Sequence, residues 1–212
     1  MGAQTSRSSH EDVPPDFYDA ALRTNLIQRL WHKRRLQRIS ALISKTNGRI
    51  LDIGCDGITL TEAVAARAAA KEVVGIDILG KAVAYSKRKR PDFHLAIGHG
   101  EQLPFREAAF DVIVCLEVLE HVEHPDKLLS EMKRCLKMDG YALLMVPTET
   151  PLFRLLWFLW TRLGKGRVWR HAHVQEFRGE LLDRLVSEAG FRVVENSVFM
   201  LGMLRAIKIS SA

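Results

Sequence analysis

Two carboxylates and an imidazole lie close together at Glu117, Glu120 and His121, in the run Cys115-Leu-Glu-Val-Leu-Glu-His121. Their spacing, i, i+3 and i+4, would place all three on one face of a helix that begins there. Two carboxylate oxygens and a ring nitrogen suit a divalent cation such as Mg2+. A cation so held polarises a hydroxyl and lowers its pKa, making an oxygen nucleophile. Without a metal, the same residues would shape a site and cap the helix. Two further histidines, His171 and His173, stand in Arg170-His-Ala-His-Val-Gln-Glu-Phe177. Either His171 or His173 could add a ligand, and His173 could equally act as a general base or line a substrate pocket, although a lone loop histidine often does none of these. Glu117, Glu120, His121 and His173 are the candidate catalytic residues, and the first three are the candidate metal ligands.

A second group of residues suits a nucleotide. Leu51-Asp52-Ile53-Gly54-Cys55-Asp56-Gly57 reads as the end of a buried strand running into a turn. A glycine there lets backbone approach a ligand, and the helix that follows offers free N–H groups. Asp77 ends the next apolar run, Glu72-Val-Val-Gly-Ile-Asp77, and a carboxylate there can accept hydrogen bonds from both hydroxyls of a ribose. The interval from Asp52 to Asp77 fits one strand–helix–strand unit. The segment Gly54-Cys55-Asp56-Gly57-Ile58-Thr59 lacks the G-x-G-x-x-G of nicotinamide dehydrogenases.

The elements that must hold these residues alternate. A helix is expected from about Ala20 to Ser44, with a basic middle at His32, Lys33, Arg34, Arg35 and Arg38. Strands are expected at 49–53, 72–77, 93–97, 110–115 and 141–146. Helices are expected at 60–70, 80–89, mostly through 118–136, and at 180–189, with two last strands at 191–196 and 199–209. Strand–helix alternation predicts an α/β domain, a mainly parallel sheet with helices on both faces. In such a sheet ligands sit at the carboxyl ends of strands near a switch in strand order.

The segment from about Ile50 to Val146 resembles the class I S-adenosylmethionine (SAM)-dependent methyltransferases, and most the branch of ubiquinone and menaquinone biosynthesis methyltransferases. Asp52 and Gly54 match the D-x-G-x-G-x-G motif, whose other two glycines are Asp56 and Ile58 here. Asp77 matches the ribose-binding acid. Gly98-His99-Gly100-Glu101-Gln102-Leu103-Pro104-Phe105 resembles G-D-A-E-x-L-P-F, with His99 in place of the aspartate that holds the adenine amino group. The resemblance implies a Rossmann-like class I methyltransferase fold with seven strands, the last antiparallel. It assigns Asp52, Gly54, Cys55, Asp77, Ile78, His99, Gly100 and Glu101 to SAM. The E-x-x-E-H pattern resembles that of metal-dependent members, both ubiquinone and small-RNA 2′-O-methyltransferases, and metal-free relatives carry it too.

Composition is that of one ordinary globular domain over 16–212, behind a polar tail, 1–15, expected to be disordered. Met1-Gly2-Ala3-Gln4-Thr5-Ser6 also fits the N-myristoylation pattern. Three scattered cysteines suggest neither disulfides nor zinc and fit a reducing cytoplasm. A net charge of +6 favours acidic partners. Pro151 to Leu163 is almost wholly apolar and opens an insert, 151–176, expected to cover the substrate. It is either a buried helix or one lying in a membrane interface, with Trp at headgroup depth and Arg toward anionic lipid. The expected reaction is methyl transfer to oxygen of a small lipophilic acceptor such as a prenylated phenol or lipid headgroup, on a protein with peripheral membrane association. The alternatives are an RNA 2′-O-methyltransferase and a non-catalytic SAM-binding interaction module. No sequence feature sets an oligomeric state.

Overall fold

The computed structural model describes residues 14–163 and 174–212. His171 and His173, and nearly all of the expected tail, lie outside the described residues. The chain runs through α1 (Phe17–Thr24), α2 (Leu26–Leu42), β1 (Arg49–Ile53), α3 (Thr59–Ala68), β2 (Glu72–Asp77), α4 (Gly80–Lys89), β3 (His94–Ile97) and β4 (Phe110–Leu116). It continues through α5 (Pro125–Cys135), β5 (Leu136–Pro147), α6 (Pro151–Leu163), α7 (Leu181–Glu188), β6 (Phe191–Phe199) and β7 (Leu204–Ser211). The seven strands form one sheet in the order β3-β2-β1-β4-β5-β7-β6. Only β7 is antiparallel to its neighbours. Strand order reverses beside β1, so the crevice between β1 and β4 is where a ligand is expected.

The central strands are apolar throughout because both faces are covered, and successive residues serve opposite layers. Ile50, Val112, Val114, Leu143 and Met145 pack with Ile39, Leu42, Val64 and Ala68 of α2 and α3. Leu51, Ile53, Ile113, Cys115 and Leu144 pack with Leu128, Leu129 and Met132 of α5 and Leu182 and Val186 of α7.

Four expected boundaries are corrected. The helix foreseen over 20–44 is two helices, because Asn25 Oδ1 accepts the Ile27 and Gln28 N–H groups at 3.0 and 3.2 Å and so starts α2 afresh. The helix foreseen over 118–136 begins only at Pro125, preceded by a 3-10 turn at Leu119–His121. β5 reaches back to Leu136 through Asp139-Gly140, with a register shift against β4 between Phe110 and Val112. The last two strands meet at a tight turn in which Met200, Leu201 and Gly202 have φ of 54, 56 and 83°, so β6 extends to Phe199 and β7 starts at Leu204.

Candidate cofactor and acceptor site

The loop from β1 to α3 explains how this chain dispenses with two expected glycines. Gly54, Asp56 and Ile58 have φ of 75, 33 and 58°. All three alternate positions therefore keep a left-handed backbone, although only one is glycine. Backbone N–H groups of Gly54 and Cys55 donate to Ile76 O at 2.8 and 3.1 Å, tying the turn to β2. Left-handed φ costs a side-chain-bearing residue about 1–2 kcal/mol. Burial of Ile58 against Cys55, Val83 and Leu95 offsets that cost.

Asp77, 8% exposed, stands at the carboxyl end of β2. Its Oδ2 accepts the Asp56 N–H at 2.9 Å and its Oδ1 the Leu79 N–H at 2.8 Å. Asp77 lines the crevice. Asp52 is buried beneath the loop and accepts from Thr61 Oγ1 at 2.5 Å. Burial, and then the charge of Asp77, push the Asp52 carboxyl up to about 7. Desolvation and Asp77 likewise push Asp56 up to about 7. Burial raises the Cys55 thiol well above its usual value, so Cys55 serves as a small apolar wall. Ile78 and Gly100 line the same crevice. Gly100 has no room for a side chain, since a Cβ there would lie 2.8 Å from Leu128 Cδ1.

Of the two other expected cofactor residues, His99 lines the crevice and Glu101 does not. His99 Nδ1 accepts the Glu101 N–H at 3.3 Å. Glu101 Oε1 accepts the His124 N–H at 3.1 Å, which secures the entry to α5, and Glu101 does not line the crevice.

Helix α1 closes over the loop through one side chain. Asp19 Oδ1 accepts from Thr59 Oγ1 at 2.9 Å, and its Oδ2 accepts from Tyr85 Oη at 2.5 Å and Lys89 Nζ at 2.8 Å. Pro15 and Phe17 at the helix start line the crevice. The basic run at the end of α4 is thereby partly spoken for, because Arg90 also pairs with Glu62 and Asp92 and stacks 3.7 Å over Phe93. Asp19→Ala is expected to speed dissociation of S-adenosylhomocysteine (SAH) by about tenfold, since a hydrogen bond to a charged group contributes about 1.5–3 kcal/mol. Stopped-flow displacement measures it, and an unchanged rate would mean that α1 does not restrain the ligand.

The acid and histidine cluster is not a helix face. Glu117 has φ of 58°, which turns the chain out of β4, and Glu120 and His121 lie in the short 3-10 turn. Glu117 Oε2 is held by Arg35 Nη2 of α2 at 2.5 Å. Glu120 is 1% exposed, and its Oε2 has no hydrogen-bond partner among the described residues. Burial, then the charge of Glu117, raise the Glu120 carboxyl well above its usual range. Among the described residues no His, Cys, Asp or Glu group has metal-binding geometry. His171 and His173, the further ligands foreseen, lie outside the described residues. His121 lines the crevice. The chain that returns after residue 173 docks at this turn, with Val174 and Gln175 N–H groups donating to Glu120 O at 2.8 and 3.0 Å.

Glu120 also has a measurable consequence. The native state keeps a proton that the unfolded chain releases above the usual value of 4.5, so stability falls as pH rises past that value. Glu120→Gln is expected to flatten this fall above about pH 5 and to raise the thermal midpoint at the alkaline end. A variant whose midpoint keeps the wild-type pH dependence would show that Glu120 is not the group responsible.

One cavity of about 1090 Å³ joins these features. Asp52, Gly54 and Asp77 lie at one end, Glu117, Glu120 and His121 in the wall, and Trp31, Phe153, Trp157 and Trp160 at an apolar end. Its volume slightly exceeds that of a typical single-ligand pocket, which runs to roughly 1,000 Å³. Helix α6 divides its residues between two surroundings. Phe153 is buried and stacks on Trp157 at 5.7 Å, with Trp160 at 5.3 Å from Trp157. Leu152, Leu155, Leu156, Phe158 and Leu159 are 37–55% exposed. So the choice foreseen between a buried and an interfacial helix resolves into one inward aromatic face and one outward apolar face. Sequence reasoning missed His32, Arg35 and the aromatic residues as site residues. The helical period of α2 was the available signal, since His32, Arg35, Ile39 and Leu42 recur at intervals of three or four.

Comparison with known proteins points the same way. The family described as Methyltransferase domain matches residues 22–196. The ubiquinone biosynthesis O-methyltransferase of Glaesserella parasuis is 34% identical over 127 residues, which are 53% of this chain and 52% of that protein. The protein of the same name from Alkalilimnicola ehrlichii is 32% identical over 167 residues, 73% of this chain and 65% of its own length. The chain thus spans about half to two thirds of the length of these relatives. The magnesium protoporphyrin IX methyltransferase of Synechocystis, solved with bound SAH, shares the fold with a TM-score of 0.73 at 17% identity, over 99% of both chains. A SAM-dependent methyltransferase of Thermotoga maritima gives 0.70 at 22% identity, over 93% of this chain and 98% of its own.

Proposed function

The chain belongs to the class I SAM-dependent methyltransferases, and from that premise we propose that it transfers a methyl group to an oxygen of a small, lipophilic acceptor. The observation that carries this reading is the single cavity running from Asp77 past Glu117 and Glu120 to the aromatic end. The names of the relatives, ubiquinone biosynthesis O-methyltransferases, support oxygen as the atom and a quinone-like ring as the frame. SAM supplies an electrophilic methyl on a sulfonium when bound. Asp77 would hold the ribose, and the Gly54 turn would let backbone reach the rest. The acceptor ring would lie among Trp31, Phe153 and Trp157, whose apolar surfaces exclude water and fix its approach. His173 remains a proposed pocket residue.

Acceptor delivery follows from the outer surface. Leu26, Ile27 and Leu30 of α2 are 54–76% exposed, and Ile27 and Leu156 both line the cavity mouth. Exposed Arg29, Lys33, Arg34 and Arg38 lie on α2, with Arg154 and Arg162 on α6. Exposed apolar side chains bordered by arginine and lysine suit the surface of an anionic bilayer, from which a lipophilic acceptor could enter directly. No helix among the described residues is long and apolar enough to cross a membrane.

The test is transfer of labelled methyl from SAM to a panel of phenols and prenylated phenols, with an RNA arm. Label in the lipophilic phenols supports the reading, and label in RNA alone overturns it. In co-sedimentation with phosphatidylglycerol vesicles at low salt, the protein is expected in the pellet, and its absence would remove the bilayer from the proposal.

A further inference from the structure

Arg35 is buried to 3% exposure on a helix whose neighbouring basic residues, Lys33, Arg34 and Arg38, all face solvent. Its Nη2 pairs with Glu117, and its Nη1 lies 3.2 Å from His32 Nδ1. Burial, then the charge of Arg35 itself, hold His32 down at about 3, so the ring is neutral and Nδ1 can accept. The remaining donor, Nε, has no partner among the described residues. The Glu120 Oε2 nearby has none either. Taking a guanidinium out of water is costly unless its donors are met. Both residues line the cavity, and an unmet buried polar atom on each calls for a group that completes it. Arg35 also acts electrostatically on both Asp56 and Glu120, so it stands between the cofactor end and the acid turn. Glu117 pairs with Arg35, His32 is neutral, and a bound sulfonium would add a positive charge that an anionic acceptor would meet.

Resting on the methyl-transfer reading, we propose that Arg35 is the residue that binds the acceptor oxygen, and that it binds it ionised. The acceptor class is then a phenol, enol or carboxylic acid, with aliphatic alcohols selected against. On entry the acceptor's O–H proton leaves to water. A lone pair of the oxyanion forms the new O–C bond, the C–S bond breaks with its electron pair retained by sulfur, and the opposite charges cancel. No protein base is consumed. Because a guanidinium stays charged at every working pH, the acceptor's own acidity, and not a protein group, sets when the site is loaded.

The probe is 4-nitrophenol, whose ionised form absorbs in the visible, titrated with pH in the presence and absence of SAH-loaded protein. Wild type is expected to lower the apparent pKa of the bound probe by about one unit, a tenfold preference for the anion. Arg35→Gln is expected to abolish the shift while SAH affinity stays within about twofold by calorimetry. Glu117→Gln removes the competing carboxylate and is expected to enlarge the shift. That second variant keeps the inference exposed if Arg35→Gln does not fold. No shift in wild type, an undiminished shift in Arg35→Gln, or a smaller one in Glu117→Gln would each overturn it. A wild type that binds SAH but leaves the probe unshifted removes this inference alone, whereas failure to bind SAH at all removes the reading beneath it.

Discussion

Asp77→Ala is expected to weaken SAM and SAH binding by at least about a hundredfold. The carboxylate serves two functions that alanine cannot replace. Its oxygens organise the β1–α3 turn by accepting the Asp56 and Leu79 N–H groups, and the residue lines the cavity. Charge-assisted hydrogen bonds contribute about 1.5–3 kcal/mol each, so two ribose contacts account for about 3–6 kcal/mol of binding. The fold should survive, because the side chain sits at a strand end outside the main apolar clusters. Calorimetric titration against wild type, with circular dichroism as the check on folding, measures this. A folded variant that binds SAM within threefold of wild type, on the order of half a kcal/mol, would mean that the cofactor is held elsewhere.

Gly54→Ala is expected to cost about 3 kcal/mol of stability, and so about 6–12 °C in thermal midpoint for a chain of this size. Two effects combine. Alanine at φ of 75° meets the left-handed penalty, and its Cβ would fall 2.3 Å from Val118 Cγ2. The second effect is separable. Val118→Ala removes the atom in the way, so the double variant should recover more than half of the loss. Thermal melts of the two single variants and the double variant give the coupling directly. Additive effects would place the cost in the backbone alone and show that the turn does not depend on close approach of Val118. The double variant also bears on the cofactor, because the same approach sets the width of the crevice beside Asp52.

Much of this site was legible before any coordinates. Asp52, Gly54, Asp77 and Gly100 are short-range features, each following directly from a strand whose apolar run is readable, and the resemblance placed them in order. The loop itself was less legible. Asp56 and Ile58 looked like departures from a glycine motif, yet their φ values of 33 and 58° preserve the turn. A sequence motif records which residue is easiest at such a φ, while the structure shows that burial can support a harder one. His99 and Glu101 were matched by position and then found engaged with one another and with His124, because side-chain direction is decided by local hydrogen bonds that a motif does not carry.

The acid turn shows the limit most clearly. The spacing of Glu117, Glu120 and His121 admits a common helix face, and no local rule in the sequence forbids it. The left-handed Glu117, set by the end of β4 and by Arg35 arriving from α2, dissolves that face. Residues 35 and 117 meet only because α2 packs across the sheet, a long-range contact invisible to periodicity. By itself, then, the sequence determined the alternating elements, the two-sided burial of the central strands, and the acidic nucleotide end. These depend on hydrophobic period and strand-end chemistry, which are local. The tertiary structure alone decided which charges meet in the cavity wall, which carboxylate keeps its proton, and which face of α6 turns inward, because burial and pairing depend on what the fold brings alongside.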